Sequence, residues 1–171
     1  LFQRVAGTLS WYSTDFWSQQ YGYRIIDHSR DYATGIRWLT FAKEFLHALR
    51  HRGVRSTIVT NAHTDIVNLK NEVTGITDLV DRTISSHTVG YAKESPKFWI
   101  ALQADLKFSP KSTLFFDDSP SVLSAAVDFG IERSIAICHP DTTRPKRIHV
   151  SSWAIDNFEH LTASLSSKGP R

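Results

Sequence analysis

The sequence predicts an α/β fold in which a parallel sheet is covered by helices on both faces, in three α/β/α layers. Short apolar or β-branched segments alternate with longer segments of helical periodicity, and glycines or Ser-Pro pairs stand between them. The chain has 171 residues, of which 41% are hydrophobic and 22% charged, so it has enough apolar material for one core of ordinary size. Strands that alternate with helices in this way are typical of βαβ units, which form parallel sheets.

The first predicted elements are two helices. One aromatic, amphipathic helix is predicted from Val5 to Gln20, with Gly22 as its stop signal. A second helix is predicted from Trp38 to Arg52, because its apolar residues follow the helical period and Gly53 comes directly after it. Both helices precede the first predicted strand.

Short strands are predicted next, wherever a brief apolar or β-branched segment is bounded by polar residues. They are Arg55–Thr60, Arg82–Ser85, Ser112–Phe116 and Ser134–Cys138. Helix starts follow the first three, at Thr64-Asp65, Ser95-Pro96 and Ser119-Pro120, and Gly130 ends the last of these helices. Beyond them, Arg144–Arg147 is predicted to be loop and Trp153–Leu165 to form a final helix.

Composition and charge exclude several classes of function. The formal net charge is +3, and the basic residues are scattered rather than gathered in one run, so nucleic-acid binding is not indicated. No apolar run approaches the roughly 18 residues that a membrane-spanning helix needs. The single cysteine, Cys138, excludes an internal disulfide and fits a reducing compartment, so we expect a cytoplasmic location.

Polar side chains follow three of the predicted strands, where ligands bind in open parallel sheets. The first strand ends in Thr60-Asn61-Ala62-His63, a loop after the second carries Lys93, and the third ends in Asp117-Asp118. Adjacent carboxylates repel each other unless a cation shares the site, and Mg²⁺ accepts such oxygens together with water. A lysine neutralises phosphate, and a threonine or asparagine donates hydrogen bonds to it.

Each of these residues also has an ordinary structural explanation. Asp117 caps a helix in that case and Asp118 is solvated, as aspartates before helices commonly are. Lys93 is then a solvated loop residue, and Thr60 and Asn61 cap the helix that follows them. His63 and another histidine near a strand end, His87, are then ordinary hydrogen-bonded residues.

The order of these features is more specific than the features themselves. A strand ending in Thr-Asn, then Gly-x-x-Lys, then a strand ending in Asp-Asp before a Ser-Pro helix start resembles the haloacid dehalogenase-like hydrolase superfamily. Within it, the chain is similar to the bacterial GMP/IMP nucleotidases in four segments. These are Trp11–Trp17, Thr60–His63, Ser86–Glu94 and Leu114–Ser119.

The resemblance implies a Mg²⁺-dependent phosphatase that removes the 5′-phosphate of purine nucleoside monophosphates. It implies that Thr60 binds the transferring phosphoryl group, that Lys93 steadies the charge and that Asp117 and Asp118 serve the metal. Asn61, Ala62 and His63 are the expected substrate-binding residues. It further implies a helical cap remnant at residues 1–33 and an α/β core at residues 34–171.

The superfamily's first motif, Asp-x-Asp-Gly-Thr at a strand end, does not occur in the 171 residues. In the family its first aspartate attacks phosphorus and forms an aspartyl-phosphate, which water then hydrolyses. The nearest candidate, Ile25-Ile26-Asp27-His28, lacks the second aspartate and the glycine and is not accepted as the nucleophile. We therefore expect the sequence to be a truncated, cleaved or incompletely recorded form, inactive as it stands.

Three other functions are compared with a nucleotide phosphatase, and two of them remain open. A receiver domain also uses an acidic pair, a threonine and a lysine around Mg²⁺, but it carries the acidic pair on its first strand, whereas here the pair comes last. A phosphatase acting on a sugar phosphate or phosphoglycolate remains an alternative. So does a non-catalytic remnant that binds phosphate or metal without turnover.

Overall fold

The computed structural model of the chain describes residues 1–147 and 153–167. Its helices are α1 (Phe2–Val5), α2 (Leu9–Tyr12), α3 (Thr14–Tyr21), α4 (Ile25–Asp31), α5 (Ala42–His51), α6 (Thr64–Thr74), α7 (Ser86–Val89), α8 (Pro96–Leu106), α9 (Pro120–Phe129) and α10 (Glu159–Ser167). Its strands are β1 (Thr57–Thr60), β2 (Arg82–Ser85), β3 (Leu114–Asp117), β4 (Arg133–Ile137) and β5 (Ala154–Ile155). Short 3₁₀ turns occupy Ala33–Gly35, Ile76–Leu79 and Pro110–Ser112.

The chain divides into two compact units. The first consists of Leu1–Trp38 and Leu46–Ala92, and the second of Leu39–Phe45 and Lys93–Arg171. Each unit contains one sheet, and every strand pair in the described residues is parallel. The predicted α/β class is therefore confirmed, with the described strands paired as two sheets. The predicted boundary near residue 33 stays a prediction.

In the first unit, β1 pairs with β2 in a register that sets Thr60 beside Ser85. The ends of both strands thus lie at the same edge of this sheet, where the loops after them meet. Helix α4 packs against α6, and Arg30 of α4 makes a two-pronged ion pair with Glu72 of α6 at 2.8 and 3.1 Å. This unit therefore joins the N-terminal helices to the segment that carries Thr60.

The single N-terminal helix predicted from Val5 to Gln20 is wrong, because three short helices occupy that segment. Ala6 leaves the helical conformation after α1, and Gly7, with a φ of +74°, continues the break between α1 and α2. Ser13 leaves the helical region and caps α3, its hydroxyl accepting a hydrogen bond from the Phe16 backbone N–H at 3.1 Å. Gly22 ends α3 in the left-handed conformation, as predicted.

The second unit contains β3, β4 and β5 in that order across the sheet. Helix α9 packs on β3 and β4, and α8 packs against α9. The core between them is fully buried at Phe98, Trp99, Val122, Ala126 and Ile131. Burial of such large apolar side chains is the main contribution to the stability of this unit.

The helix predicted from Trp38 begins only at Ala42, because Phe41 has a φ of +61°, and the other predicted elements agree closely with the structure apart from the C-terminal one. Helix α8 starts at Pro96 with the Ser95 hydroxyl as its cap, and Gly130 ends α9. The predicted helix from Trp153 to Leu165 is wrong in its first part, because β5 pairs there with β4 before α10 begins at Glu159. Main-chain pairing of two residues with a strand far along the chain leaves no local sequence signal.

Candidate functional site

Lys93 and Asp117 form a buried ion pair in the second unit. The ammonium Nζ of Lys93 lies 2.5 Å from Oδ2 of Asp117, and the two side chains are only 10% and 7% exposed. The Lys93 carbonyl accepts a hydrogen bond of 2.8 Å from the indole of Trp99, and Nζ lies 5.9 Å from the centre of the Phe115 ring. Packing around these aromatic rings therefore places the Lys93 charge at the end of β3.

Asp117 also organises the start of the following helix. Its Oδ1 accepts a hydrogen bond of 2.9 Å from the backbone N–H of Ser119, while its Oδ2 accepts from Lys93. Ser119 stands at the cap position of α9 but makes no side-chain capping bond, and Pro120 occupies the first turn. Asp117 thus holds the turn before α9, and the same side chain pairs with Lys93.

Asp118 occupies a different environment from its neighbour. Its side chain is 44% exposed, and its Oδ2 accepts a hydrogen bond of 2.8 Å from the guanidinium of Arg147. The same Arg147 nitrogen lies 3.2 Å from the Asp118 carbonyl oxygen. Each of the two adjacent carboxylates thus has its own cationic partner, Lys93 for Asp117 and Arg147 for Asp118.

The acidic pair fits Mg²⁺ in its chemistry, although not as a complete cage. Within residues 1–147 and 153–167, no three His, Cys, Asp or Glu side chains are grouped closely enough to hold a metal ion. Mg²⁺ is bound by one or two carboxylates and keeps water or phosphate oxygens in its other positions. Asp118 is reachable by solvent, and each oxygen of Asp117 retains capacity for a second partner.

The loop after β1 lies in the first unit. The Thr60 hydroxyl oxygen accepts a hydrogen bond of 3.1 Å from the Ala62 backbone N–H. The Ala62 carbonyl in turn accepts a bond of 2.7 Å from the Ser85 hydroxyl at the end of β2, and Asn61 is 7% exposed. The loop is therefore tied to itself and to the neighbouring strand.

His63 closes this loop at the cap position of α6. Its Nδ1 lies 2.7 Å from the Thr14 hydroxyl and 3.6 Å from Oδ2 of Asp65, and its Nε2 lies 3.7 Å from Oδ2 of Asp15. The His87 ring meets it edge to face, with ring centres 4.8 Å apart. His63 thus stands at the cap position of α6 without a side-chain capping bond, and its ring contacts Thr14 and Asp15 of α3 instead.

The predicted site residues fall into two groups, one in each unit. Lys93, Asp117 and Asp118 are brought together in the second unit. Thr60, Asn61, Ala62 and His63 form one loop in the first unit. The sequence did not point to Arg147, Thr14 or Asp15 as partners of these residues. Asp15 lies in the Trp11–Trp17 segment that resembles the nucleotidases. Its contact with His63 spans 48 positions along the chain, however, and no local sequence pattern predicts a contact between residues so far apart.

Comparison with known proteins places the chain among hydrolases. A family model described as haloacid dehalogenase-like hydrolase matches residues 27–130. The chain is 31% identical over 164 residues to the GMP/IMP nucleotidase YrfG of Escherichia coli, and this alignment covers 96% of this chain and 74% of that protein. It is also 31% identical over 150 residues to a phosphatase of Mycobacterium tuberculosis, covering 83% of this chain and 65% of that protein.

Solved structures support the fold. A HAD phosphatase from Thermococcus onnurineus superposes with a TM-score of 0.78 at 19% identity, over 98% of this chain and 77% of that one. L-2-haloacid dehalogenase from Xanthobacter autotrophicus gives a TM-score of 0.60 at 15% identity, over 75% and 61%. The chain spans 56% of a further dehalogenase structure, which it matches with a TM-score of 0.61. These likenesses confirm the predicted α/β fold with its parallel sheet.

The helices also bear on membrane insertion. In the part of the chain that the structure describes, none is both long enough and apolar enough to cross a membrane.

Proposed function

The chain belongs to the haloacid dehalogenase-like hydrolases, and from this membership we propose that its protein is a Mg²⁺-dependent phosphatase. The proposed substrates are purine nucleoside monophosphates, from which it removes the 5′-phosphate. The reaction breaks the bond between phosphorus and the ester oxygen. Water adds its oxygen to phosphorus and a proton to the ester oxygen, so the products are inorganic phosphate and a nucleoside. The relative named a GMP/IMP nucleotidase supports the choice of substrate, because its match extends over 96% of this chain.

The observation that carries the proposal is the buried Lys93–Asp117 pair beside the exposed carboxylate of Asp118. A buried ion pair is costly to desolvate and contributes little net stability compared with apolar residues of the same size. A fixed ammonium in a water-poor setting, in contrast, interacts strongly with charge that develops on a phosphoryl oxygen. The presence of this buried pair is therefore better explained by a role in phosphoryl transfer than by a contribution to the stability of the fold.

Lys93 and Asp117 have linked roles in this proposal. Lys93 stabilises the negative charge of the equatorial phosphoryl oxygens as the phosphoryl group is transferred. Asp117 holds the lysine in place through Oδ2 and fixes the turn before α9 through Oδ1. The lysine therefore needs no rearrangement when the substrate binds.

Asp118 is the more accessible metal ligand of the acidic pair, and Asp117 contributes its remaining acceptor capacity. When bound, Mg²⁺ draws electron density from the phosphoryl oxygens and helps to orient them. Arg147 now holds Asp118 through Oδ2 and moves aside if the metal takes that oxygen. Because that pair is exposed, its rearrangement costs little.

Thr60 binds a phosphoryl oxygen through its hydroxyl group. Because the oxygen of that hydroxyl already accepts from the Ala62 N–H, its proton is the part that a phosphate oxygen can accept. Ala62 thus positions the Thr60 hydroxyl, and Asn61 and His63 contribute further polar contacts to the substrate.

The 171 residues do not contain the Asp-x-Asp-Gly-Thr motif that supplies the family's nucleophile. On their own they therefore bind a phosphate ester without turning it over. Turnover is expected only from a form of the protein that also carries a nucleophilic aspartate at a strand end.

The test measures inorganic phosphate released by the protein at its natural length, from GMP, IMP, a sugar phosphate and phosphoglycolate, with Mg²⁺ and again with EDTA. We expect Mg²⁺-dependent release that is fastest from the two purine nucleotides. Absence of release from every ester, or release that EDTA leaves unchanged, contradicts the proposal.

A second candidate is a phosphatase for another small phosphate ester. The relative from Mycobacterium tuberculosis, also 31% identical, is named only as a phosphatase, which supports the reaction without the nucleotide. In the same assay, faster release from the sugar phosphate or from phosphoglycolate than from GMP favours this second candidate.

A further inference from the structure

His63 joins the loop after β1 to the N-terminal helices through a buried hydroxyl. Thr14 is the first residue of α3 and is 5% exposed, and its Oγ1 lies 2.7 Å from Nδ1 of His63. The same hydroxyl lies 3.3 Å from Oδ2 of Asp65 in α6. One threonine hydroxyl therefore links the start of α3 with both the end of the Thr60–His63 loop and the first turn of α6.

A second histidine touches both sides of this junction. The edge-to-face contact between the His87 and His63 rings brings the two imidazoles to 4.8 Å between centres. Burial is the largest influence on His87 and lowers its pKa, and the nearby His63 lowers this pKa further. Hydrogen bonds with the backbone of Asn61 and of Tyr12 raise the His87 pKa. His87 therefore contacts both the Thr60–His63 loop and the last residue of α2, which lies just before α3.

The charges that face the two imidazoles are few. Asp15 of α3 lies 3.7 Å from Nε2 of His63, and its side chain is 75% exposed. Asp65 of α6 lies 3.6 Å from Nδ1 of His63, with its side chain 42% exposed. Both carboxylates are partly solvated, so water screens their attraction for a positive charge at the His87 ring.

We propose that His63 and His87 form a latch that positions the start of α3 against the Thr60–His63 loop, and that acid opens this latch. Near neutral pH the rings pack together and His63 holds Thr14. In acid, His87 takes up a proton although burial and the nearby His63 disfavour its charged form, and the cost of that charge in the ring contact releases the start of α3. His87 is thus a positioning residue, and His63 positions the loop in addition to its proposed contact with the substrate; the consequence for phosphate esters rests on the proposed function of the loop.

The test follows the indole N–H signals of tryptophan by NMR in the protein at its natural length, between pH 7.5 and 5.5. Trp17 lies in α3 and donates its indole N–H to the Trp11 carbonyl at 2.8 Å, so it reports on this helix. Trp99 lies in the second unit, donates to the Lys93 carbonyl and is the internal control. We expect acid to shift the Trp17 signal together with the His87 ring signals, while the Trp99 signal stays in place.

Variants separate a latch from a simple packing contact. Thr14→Val removes the hydroxyl at constant shape and is expected to give the acid-like Trp17 signal already at pH 7.5, whereas Thr14→Ser keeps the wild-type signal. Asp15→Asn removes an exposed carboxylate that favours protonated His87, so it moves the midpoint of the Trp17 change to lower pH. A Trp17 signal that ignores both pH and Thr14→Val overturns the proposal, as does joint movement of Trp17 and Trp99, which indicates general unfolding.

The same variants give a readout on the ligand. With GMP as the probe, Thr14→Val is expected to raise KM about threefold to tenfold with little change in kcat, which is the range of one lost hydrogen bond, and Thr14→Ser restores it. Equal losses of kcat in the valine and serine variants contradict a positioning role. If GMP is not hydrolysed at all, the proposed function fails while the Trp17 titration still decides the latch.

Discussion

The Lys93 ammonium lies 2.5 Å from a carboxylate oxygen of Asp117, and both side chains are almost completely buried. This contact joins the lysine that begins the longer segment of the second unit to an aspartate at the end of β3, 24 positions further along the chain. A cation and an anion removed together from water depend on each other, because neither has bulk solvent to stabilise its charge.

Removal of one partner of this pair is therefore expected to destabilise the protein strongly. Lys93→Met leaves the Asp117 carboxylate buried without its cation, and we expect a loss of about 3–5 kcal/mol in the free energy of unfolding. The double variant Lys93→Met with Asp117→Asn leaves no buried charge and is expected to recover part of that loss. Urea unfolding of the three proteins measures both effects. A loss below about 1 kcal/mol in the single variant, as exposed pairs give, is inconsistent with a buried pair.

Asp118 is expected to behave in the opposite way to Asp117. Its ion pair with Arg147 is exposed, so Asp118→Asn changes the free energy of unfolding by less than about 1 kcal/mol. Mg²⁺ binding, measured by calorimetry, is nevertheless expected to be lost. Asp128→Asn, an exposed carboxylate on α9, is the matched control and retains binding. Equal Mg²⁺ affinity in the Asp118 and Asp128 variants argues against a metal role for Asp118.

The buried His87 predicts a stability that declines in acid. Because burial lowers its pKa in the folded protein, the unfolded chain binds a proton more readily than the folded one. Stability from this residue is complete above the ordinary histidine pKa of about 6.5 and is lost as pH falls through the lower folded pKa. His87→Gln is expected to lose less stability than wild type between pH 7.5 and 5.5, as urea unfolding measures. His160→Gln, at an exposed position on α10, is the control, and an equal effect in both variants contradicts the assignment.

The two Ser-Pro helix starts are expected to differ, although they look alike in sequence. The Ser95 hydroxyl accepts from the Lys97 N–H, so Ser95→Ala costs about 1 kcal/mol of stability. Ser119 makes no capping bond, and its hydroxyl forms an exposed hydrogen bond with the Ser121 hydroxyl at 3.0 Å, so Ser119→Ala is expected to be nearly neutral. Thermal unfolding of both variants checks this difference. Similar shifts in Tm for the two variants contradict it.

Local signals explain why much of the fold was predictable from the sequence. The pairs Ser95-Pro96 and Ser119-Pro120 and the stop at Gly130 act within a few residues of the helix ends that they fix. The polar residues after β1 and β3 were predictable for the same reason, since a strand end and its next residues are adjacent in the chain. The motif order then carried the family resemblance.

Features that depend on distant partners were not predictable in this way. Strand β5 exists because Ala154 pairs with Ala136, and aromatic spacing near the N-terminus did not reveal the breaks at Gly7 and Ser13. Likewise, Arg147 meets Asp118 across 29 positions. Such contacts arise from tertiary packing, which overrides local propensity.

The most direct test of the central claim is to add GMP with Mg²⁺ to the isotopically labelled protein at its natural length and to follow its backbone NMR signals. We expect the signals of Thr60, Asn61 and His63 and those of Lys93 and Asp118 to shift, and we expect a weaker response in Asp118→Asn. GMP that leaves these signals unchanged, or that shifts only signals elsewhere in the chain, contradicts the account.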